Sequence, residues 1–490
     1  MKKTNEGKKR EFPHIFIVLF LMMIVALIAT WIVPSGVYDR VALEGSTSQV
    51  VVTDSFHYIE KEYLSPFFLL KAVTNGLTGS ALVIFTILII GACWQVINAT
   101  GAISVGIHSI ARKLKGKEMM IFPILMFVFA FIAAVIGGAE LMLVYLPAVM
   151  PLMLALGFDT MSAAGMVVVA GFSAFSVSVT NPFTVGIGDE ITGLPLYSGA
   201  WYRIILQVVF YLAGVLYVLN YARKVRKDGK NSLVYEESAA FAKTYTLSDE
   251  VRPSHRDMNC GMPCGYENQE TQVQATSRHK WIGVALVIIL AVMIYGIISR
   301  GWYMEEINGL FLIAAIVSAV IGKMSMKDVC EHMVEGAKGV VAAGIVCGLS
   351  RGIMVILEAG SIIDVIIHSL SEVVSVLPGS IAVIGIFLIQ LLFNFLVNSG
   401  SGQFLITMPI LAPLGTLVGI NSQTMILASQ MGDGFTNMLF PTSGVLMACL
   451  AFAKVPYEKW VKFIAKYMVI VTLLGCISLV IAQMIDYGPF

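Results

Sequence analysis

The stretch "NSGSGQFLITMP", residues 398–409, decides the fold, because it places two glycines and two serines between two apolar segments, 381–397 and 404–418. In a lipid bilayer each unsatisfied backbone group costs several kcal/mol, so an interrupted helix survives only where protein or a wet cavity surrounds it. We therefore interpret this stretch as the tip of a re-entrant hairpin that presents backbone and hydroxyl groups to a solute.

The composition of the chain places it in a membrane. Its 490 residues are 57% hydrophobic and 13% charged, with a mean hydropathy of +0.83, whereas soluble domains are about 45–50% apolar and about 25% charged. The net charge of +1 gives no indication of a nucleic-acid partner. The sequence predicts an all-α integral membrane protein whose partners are the lipid bilayer and a small-molecule substrate.

The distribution of Lys and Arg predicts the orientation of the chain, because loops rich in these residues stay in the cytoplasm. The N-terminus, 1–13, is basic and precedes a first transmembrane helix at 14–34. The loop at 35–63 is acidic and is placed outside, and basic clusters follow residues 111, 221 and 453. The pattern predicts about nine transmembrane helices, a cytoplasmic N-terminus and a C-terminus outside.

An internal repeat relates the two halves of the chain at an offset of about 260 residues. Its clearest matches pair Ser65, Gly76, Gly79, Pro147, Pro151 and Gly157 with Ser325, Gly336, Gly339, Pro409, Pro413 and Gly419. The predicted organisation is a first repeat at 65–221, a cytoplasmic linker at 222–280, two connecting helices at 281–322 and a second repeat at 325–485. The first repeat starts outside and the second inside, so the repeats are inverted, which is typical of secondary transporters.

Four interruptions fall at matching places in the two repeats. They lie in predicted re-entrant hairpins at about 119–156 and 380–418, and in predicted broken helices at about 161–190 and 423–452. The charge pattern also permits two full spans at 119–156, and the glycine-rich linker there favours the hairpin. Each helix restart presents N–H groups and a partial positive charge, which suits a carboxylate, whereas each stop presents carbonyl groups, which suit Na⁺ or an ammonium.

The candidate substrate-binding residues are the polar and glycine residues at these interruptions. They are Gly138, Glu140, Ser178, Thr180, Asn181, Asn398, Ser399, Gly400, Ser401, Asp433, Thr436, Asn437, Thr442 and Ser443. Carboxylates at membrane depth are functional candidates, so the two acids could bind an amine or guanidinium or carry a coupling proton. The alternative for Glu140 is that it reaches water or forms a structural ion pair. Arg351 and Glu358 lie on one helix face and are predicted to form a structural ion pair.

The chain resembles the YfcC family, which is grouped with DcuC-type carriers in the ion transporter superfamily. The resemblance lies in "NPFTVGIG" (181–188), "SGSGQ" (399–403), "MPILAPL" (408–414), "GDGFTN" (432–437), "PTSGVLMA" (441–448) and "KVPYEKW" (454–460). A more distant similarity to INDY-type carriers implies two re-entrant hairpins, two broken helices and a homodimer in which a transport domain moves against a scaffold like an elevator. The hairpin tips here differ from the Ser-Asn-Thr tips of INDY-type carriers, so their Na⁺ sites are not carried over.

These observations predict a secondary active transporter in the bacterial cytoplasmic (inner) membrane. The resemblance implies either a basic amino acid, including arginine/ornithine exchange, or a proton- or sodium-coupled C4-dicarboxylate as the substrate. Glu140 and Asp433 favour the basic amino acid, and the C4-dicarboxylate is the alternative. A channel would need a continuous pore, and an intramembrane enzyme would need a catalytic constellation that the sequence does not show. Cys260 and Cys264 have no standard zinc spacing, so no metal site is predicted. No catalytic residue or cofactor is predicted either, and the coupling ion is expected to be H⁺ or Na⁺.

Overall fold

The part of the chain that can be described covers most of both predicted repeats. The computed structural model describes residues 15–42, 49–52, 55–103, 105–106, 116–137, 141–196, 198–245, 276–300, 302, 304–375 and 379–488. The predicted site residues Gly138 and Glu140, as well as Cys260 and Cys264, lie outside these ranges. The structure is 80% helix, in agreement with the predicted all-α class.

The described helices divide between the two halves of the chain. The helices of the N-terminal half are α1 (Ile15–Ile32), α2 (Phe68–Gly79), α3 (Ala81–Ala99), α4 (Ile121–Ile136), α5 (Met142–Ala155), α6 (Thr160–Phe175), α7 (Ile187–Thr192), α8 (Ala200–Lys227) and α9 (Tyr235–Tyr245). The helices of the C-terminal half are α10 (Ser277–Arg300), α11 (Met304–Gly322), α12 (Met326–Ala359), α13 (Ile363–Ser375), α14 (Gly379–Phe393), α15 (Gly400–Leu417), α16 (Ser422–Thr436), α17 (Gly444–Phe452) and α18 (Tyr457–Met484). A five-residue π-helix, Pro182–Gly186, leads directly into α7.

Six of the described helices are long and apolar enough to cross a membrane, by length and composition. They are α3, α8, α10, α11, α12 and α18. Many of their large apolar side chains are exposed, such as Val287 on α10 and Leu216 on α8. In water such a surface would be unfavourable, so these faces are suited to lipid.

The longest helix forms an antiparallel pair with α2 and α3. At about 1.5 Å per residue, the 34 residues of α12 span about 51 Å, which exceeds the hydrocarbon core of about 30 Å. Glycines allow close approach at both ends of the pair. A Cβ at Gly76 would lie 2.4 Å from the Gly348 carbonyl oxygen, and one at Gly336 would lie 2.3 Å from that of Gly91. Gly76 and Gly336 are matched positions of the predicted repeat, and each makes one of these two close backbone contacts.

The loop predicted outside the membrane contains the only strands among the described residues. β1 (Gly36–Val37) pairs with β4 (His57–Tyr58), and β2 (Arg40–Ala42) pairs with β3 (Gln49–Val51). Asp364 of α13 anchors this loop, because its carboxylate accepts a 3.0 Å bond from the Tyr38 N–H and forms a 2.8 Å ion pair with Arg40. The sequence analysis did not anticipate these short strands.

The predicted linker at 222–280 is partly helical. α8 continues to Lys227, and α9 then docks beside the start of α6, where the Thr160 N–H donates to the Ser238 hydroxyl at 3.0 Å. Glu237 of α9 also pairs with Lys459 of α18 at 2.5 Å. The polar composition of α9 hid this helix from a search for apolar segments.

Candidate substrate site at the helix breaks

The tip of the second predicted hairpin is the N-terminus of α15. Ser399 has extended backbone angles and caps the helix, because its hydroxyl accepts a 3.3 Å bond from the Gly402 N–H. The first turn of a helix leaves backbone N–H groups without helical partners and carries a partial positive charge. The stretch that interrupts the apolar sequence therefore becomes a helix N-terminus inside the protein.

Two glycines let α16 pack closely between its neighbours at the second break, which is the interruption between α16 and α17. A Cβ at Gly432 would lie 2.3 Å from the Gln390 Cβ, and one at Gly434 would lie 2.2 Å from the Ser176 Oγ. Asp433 lies between them and is fully buried. Its two carboxylate oxygens have no hydrogen-bond partner among the described residues. A Cβ at Gly400 would lie 3.2 Å from its Oδ2, so the carboxylate sits behind the tip of α15.

Asparagine side chains hold this tip to the end of α16. The Asn394 Nδ2 lies 2.7 Å from the Asp433 carbonyl oxygen and 2.8 Å from the Thr436 Oγ1. The Asn398 Nδ2 donates to the Asn437 Oδ1 at 2.5 Å. The start of α15 and the end of α16 are therefore joined by hydrogen bonds.

The first break is the interruption between α6 and the π-helix that follows it. Its predicted site residues form hydrogen bonds within the protein. The Ser178 and Thr180 hydroxyls donate to the Ala134 carbonyl oxygen of α4, at 2.5 and 3.3 Å. The Asn181 Oδ1 accepts a 2.9 Å bond from the Phe183 N–H, and the helical segment restarts at Pro182, as the sequence predicts. These three side chains hold the end of α4 and the restart of the broken helix together.

A buried arginine lies at the stop of this first break. Arg203, in the first turn of α8, is fully buried, and its Nη1 donates to the Gln430 Oε1 and, at 3.4 Å, to the Ser178 carbonyl oxygen. The Gln430 Nε2 donates to the carbonyl oxygens of Phe175 and Ser178 at 3.0 and 3.1 Å. The sequence analysis missed Arg203, although a charge one turn inside an apolar helix is the signal that could have revealed it.

A cavity of about 370 Å³ lies in front of the α15 tip. Seven predicted site residues line it, namely Asn398, Ser399, Gly400, Ser401, Asn437, Thr442 and Ser443. Five others lie outside its lining, namely Ser178, Thr180, Asn181, Asp433 and Thr436. Aromatic rings of Phe172, Phe175 and Phe183 complete the side that faces the first break.

The long helix α12 supplies the remaining wall. Arg351 is the charged residue among the described lining residues, and its Nη1 contacts the Met354 sulfur at 3.0 Å. The predicted pair with Glu358 is an electrostatic interaction without a direct ion-pair contact, and Arg351 lines the cavity. Ser350 ties this wall to the second break, because its hydroxyl donates to the Pro441 carbonyl oxygen at 3.1 Å.

Comparison with known proteins assigns the chain to a family. Residues 12–484 match the sequence model of the DcuC family, described as "C4-dicarboxylate anaerobic carrier". The chain belongs to the DcuC family. This finding confirms the resemblance drawn from the sequence motifs. The protein is therefore a membrane transporter of the DcuC/YfcC type.

Two full-length relatives support the assignment to the DcuC family. The "Putative basic amino acid antiporter YfcC" of Escherichia coli (strain K12) is 30% identical over 527 residues, with 99% of each chain covered. An uncharacterized protein of Haemophilus influenzae is 27% identical over 522 residues, covering 98% of this chain and 99% of that protein.

Two solved transporters are also similar to the DcuC-family chain. The YdaH transporter of Alcanivorax borkumensis is 15% identical, with a TM-score of 0.42, covering 97% of this chain and 100% of that one. MtrF of Neisseria gonorrhoeae, described among antimetabolite efflux pumps, is 15% identical, with a TM-score of 0.40 and coverage of 96% and 95%.

Proposed function

We propose that this chain is a secondary active transporter that moves a small carboxylate-bearing metabolite across the cytoplasmic membrane. The observation that carries the proposal is the joint presence of the α15 N-terminus and Arg351 in one cavity. A carboxylate is favoured by both, because helix N-termini attract anions and a guanidinium forms paired hydrogen bonds with a carboxylate. The volume of about 370 Å³ suits a small metabolite.

The cavity offers different chemistry at its two sides. Asn398, Asn437, Thr442 and Ser443 supply neutral donors and acceptors around the α15 tip. Phe175 and neighbouring aromatic rings line the side of the first break. A solute whose carboxylate lies between the tip and Arg351 would place its carbon chain toward these rings.

Within this class we propose a basic amino acid as the substrate. It would be exchanged across the membrane for a second basic amino acid, for example arginine for ornithine. The printed name of the Escherichia coli relative supports this choice. Glu140 follows three residues after Gly137, which lines the cavity, and an acid at this place in the sequence could bind an amine or guanidinium.

A C4-dicarboxylate is the second candidate. It is favoured by the family description and by the positive charge of Arg351 in the described lining. Asp433 does not line the cavity, so it does not repel a second carboxylate directly. In both cases we assign Asp433 to ion coupling, as a carrier of H⁺, because its carboxylate lies behind the tip rather than beside the solute.

We further propose that transport follows an elevator-like mechanism in a homodimer. The scaffold would comprise α2, α3 and α12, and the moving unit would comprise two re-entrant hairpins and two broken helices. The close glycine contacts hold α2 and α3 tightly against α12, which suits a rigid scaffold. The moving unit meets the scaffold where Gly444 packs on Cys347, and this contact would break during transport.

The first test is counterflow in proteoliposomes loaded with arginine, ornithine or succinate, with and without Na⁺ and a proton gradient. Exchange of labelled arginine for ornithine, lost in Glu140→Gln, would support the basic amino acid. Counterflow with succinate and none with arginine would instead support the dicarboxylate. Failure of all three solutes to exchange would contradict transport of this substrate class.

A cross-link tests the proposed movement. A Cβ at Gly444 would lie 2.8 Å from the Cys347 Sγ, close to the separation of about 3 Å that disulfide geometry requires. Oxidation of Gly444→Cys should therefore stop counterflow, and a reducing agent should restore it. Gly444→Ala and Gly444→Cys/Cys347→Ala are the controls that should not respond to oxidation. Full activity of the completely cross-linked protein would exclude movement of α17 against α12.

A further inference from the structure

The stop of the first broken helix is a place where a cation is expected. A helix C-terminus carries a partial negative charge, and its last carbonyl groups lack helical partners. In the interior of a membrane these groups must be satisfied by protein, water or an ion. Here they include the carbonyl oxygens of Phe175 and Ser178, at the end of α6 and just beyond it.

The chain itself supplies the donors at this stop. Gln430 of α16 donates to both carbonyl oxygens, and Arg203 of α8 donates to that of Ser178. The Gln430 amide also accepts from Arg203, which fixes the guanidinium against the end of α6. Two elements remote in sequence therefore close the stop that the sequence analysis assigned to Na⁺ or an ammonium.

Arg203 contributes charge as well as hydrogen bonds. It is fully buried, and so is Asp189 on α7, the helix that continues after the break. The guanidinium interacts electrostatically with Tyr487, to whose hydroxyl it is also hydrogen-bonded, and with Asp189. A buried charge is tolerated only beside compensating charges and dipoles, and here the compensation comes from the α6 terminus and the restarted half of the same broken helix.

The second break has a different arrangement. The carbonyl oxygen of Asp433 faces the Asn394 amide, which is neutral. The residue of the second repeat that matches Arg203 by the alignment of Trp201 with Trp460 is Lys462, which is exposed and pairs with Glu458. The buried positive charge is therefore a property of the first half alone among the described residues.

We propose that Arg203 is a built-in cation that occupies the position of a coupling Na⁺ at the stop of the first broken helix. The guanidinium balances the α6 terminus and Asp189 in every transport state, and this half of the carrier binds no Na⁺. The statement that the replaced Na⁺ would be a coupling ion rests on the proposed transport function. The statement that Arg203 fills the end of the broken helix does not depend on that function.

The test measures thermal unfolding of purified protein, which needs no substrate. Wild type, Arg203→Lys and Arg203→Ala are unfolded in NaCl and in choline chloride of equal ionic strength. We expect the same Tm for wild type in both salts, and a lower Tm for Arg203→Ala that rises saturably with Na⁺, because the emptied stop then accepts the ion. Arg223→Ala, at an exposed position of α8, is the matched control and should resemble wild type.

The result that would overturn the proposal is an Arg203→Ala protein no more responsive to Na⁺ than wild type. If Arg203→Ala cannot be purified, Arg203→Lys and Arg203→Gln decide, since glutamine keeps hydrogen bonds but removes the charge. Arg203→Lys more stable than Arg203→Gln supports the proposal, and equal stability contradicts it. Because no solute is involved, these outcomes are independent of the counterflow experiment.

Discussion

The two broken helices share a backbone design and differ in charge. α6 stops at Phe175 and the chain restarts as a helix at Pro182, while α16 stops at Thr436 and restarts at Gly444. The first stop meets the Arg203 guanidinium, whereas the last turn before the second stop contains the Asp433 carboxylate. Interruption of a membrane helix therefore does not by itself determine which ion or solute it serves.

The hydroxyl and amide groups of the two breaks also have different uses. Ser178, Thr180 and Asn181 of the first break bond to neighbouring backbone, whereas Thr442 and Ser443 of the second face the cavity. The predicted polar site residues of the first break therefore lie outside the cavity lining, whereas Thr442 and Ser443 belong to it. This comparison teaches that the matched halves of a repeat can divide structural and binding roles between them.

The largest effect is expected for Gly400→Leu, which would force a bulky side chain between the tip of α15 and the Asp433 carboxylate and so displace the tip. Its Cβ would already lie 3.2 Å from the Asp433 Oδ2 and the Thr184 Cγ2. We expect counterflow to fall below detection while the protein remains folded and inserted. Gly309→Leu is the control, since no atom lies within 4 Å of that Cβ. Normal uptake by Gly400→Leu would contradict the assignment of the second break to the solute site.

Asp433→Asn separates ion coupling from solute binding. The substitution preserves the side-chain shape and removes the group that can bind a proton. We expect solute counterflow to persist and uptake driven by a proton gradient to disappear. The measurement compares both modes in the same proteoliposomes. Loss of counterflow in a folded variant would instead place Asp433 in the solute site.

Arg351→Gln should weaken binding at the second break. Loss of a charge-assisted hydrogen bond costs about 1.5–3 kcal/mol, which corresponds to about a 10- to 150-fold higher Kd. Arg351→Lys keeps the charge and should lose less. Competition in counterflow measures the change, with Arg223→Gln as the control at an exposed site. Unchanged affinity in Arg351→Gln would remove the guanidinium from the proposed site.

Gly434→Ala tests the contact between the two breaks. The added methyl group would lie 2.2 Å from the Ser176 Oγ and 2.7 Å from its Cα, so the end of α6 must shift. Overpacking of this kind costs about 1–3 kcal/mol of unfolding free energy. Gly309→Ala should instead stabilise α11 by up to about 1 kcal/mol. Equal Tm values for the two variants would show that the breaks are not in tight contact.

The smallest effects come from paired serine substitutions. Ser178→Ala removes a hydrogen bond to α4 and should lower the unfolding free energy by about 0.5–1.5 kcal/mol, with solute affinity unchanged. Ser443→Ala should weaken solute binding by a few-fold, with little change in Tm. Thermal unfolding and counterflow competition on both variants provide the check. Weaker solute binding in Ser178→Ala together with a lower Tm in Ser443→Ala would contradict the roles given to the two breaks.

The sequence predicts the positions of the interruptions better than their use. Asn181 and Pro182 mark a helix restart through local backbone chemistry, and the structure begins its helical segment there. Whether a hydroxyl faces the cavity depends on the rotation of each segment against remote neighbours, as with Ser178 and its bond to Ala134. Arg203 and Gln430 are 227 residues apart, so local patterns contain no information about their contact.

The same logic explains why the sequence analysis did not place Arg351 beside the cavity. Its spacing from Glu358 indicates a shared helix face, and only the packing of α12 against the second break shows that this face meets a cavity. The helix α9 escaped prediction for a related reason. Its 11 residues have little apolar character, and its position depends on contacts with α6 and α18.

The bond between Arg203 and Gln430 has a consequence for biogenesis. Gln430 is synthesised 227 residues after Arg203, which at about 5–20 residues per second takes roughly 10–50 s. During that interval the guanidinium lacks this partner, and an arginine without a partner in an apolar helix opposes membrane insertion. The start of α8 must therefore remain near the aqueous interface until α16 arrives. The N-terminal half completes its fold only when the C-terminal half has entered the membrane.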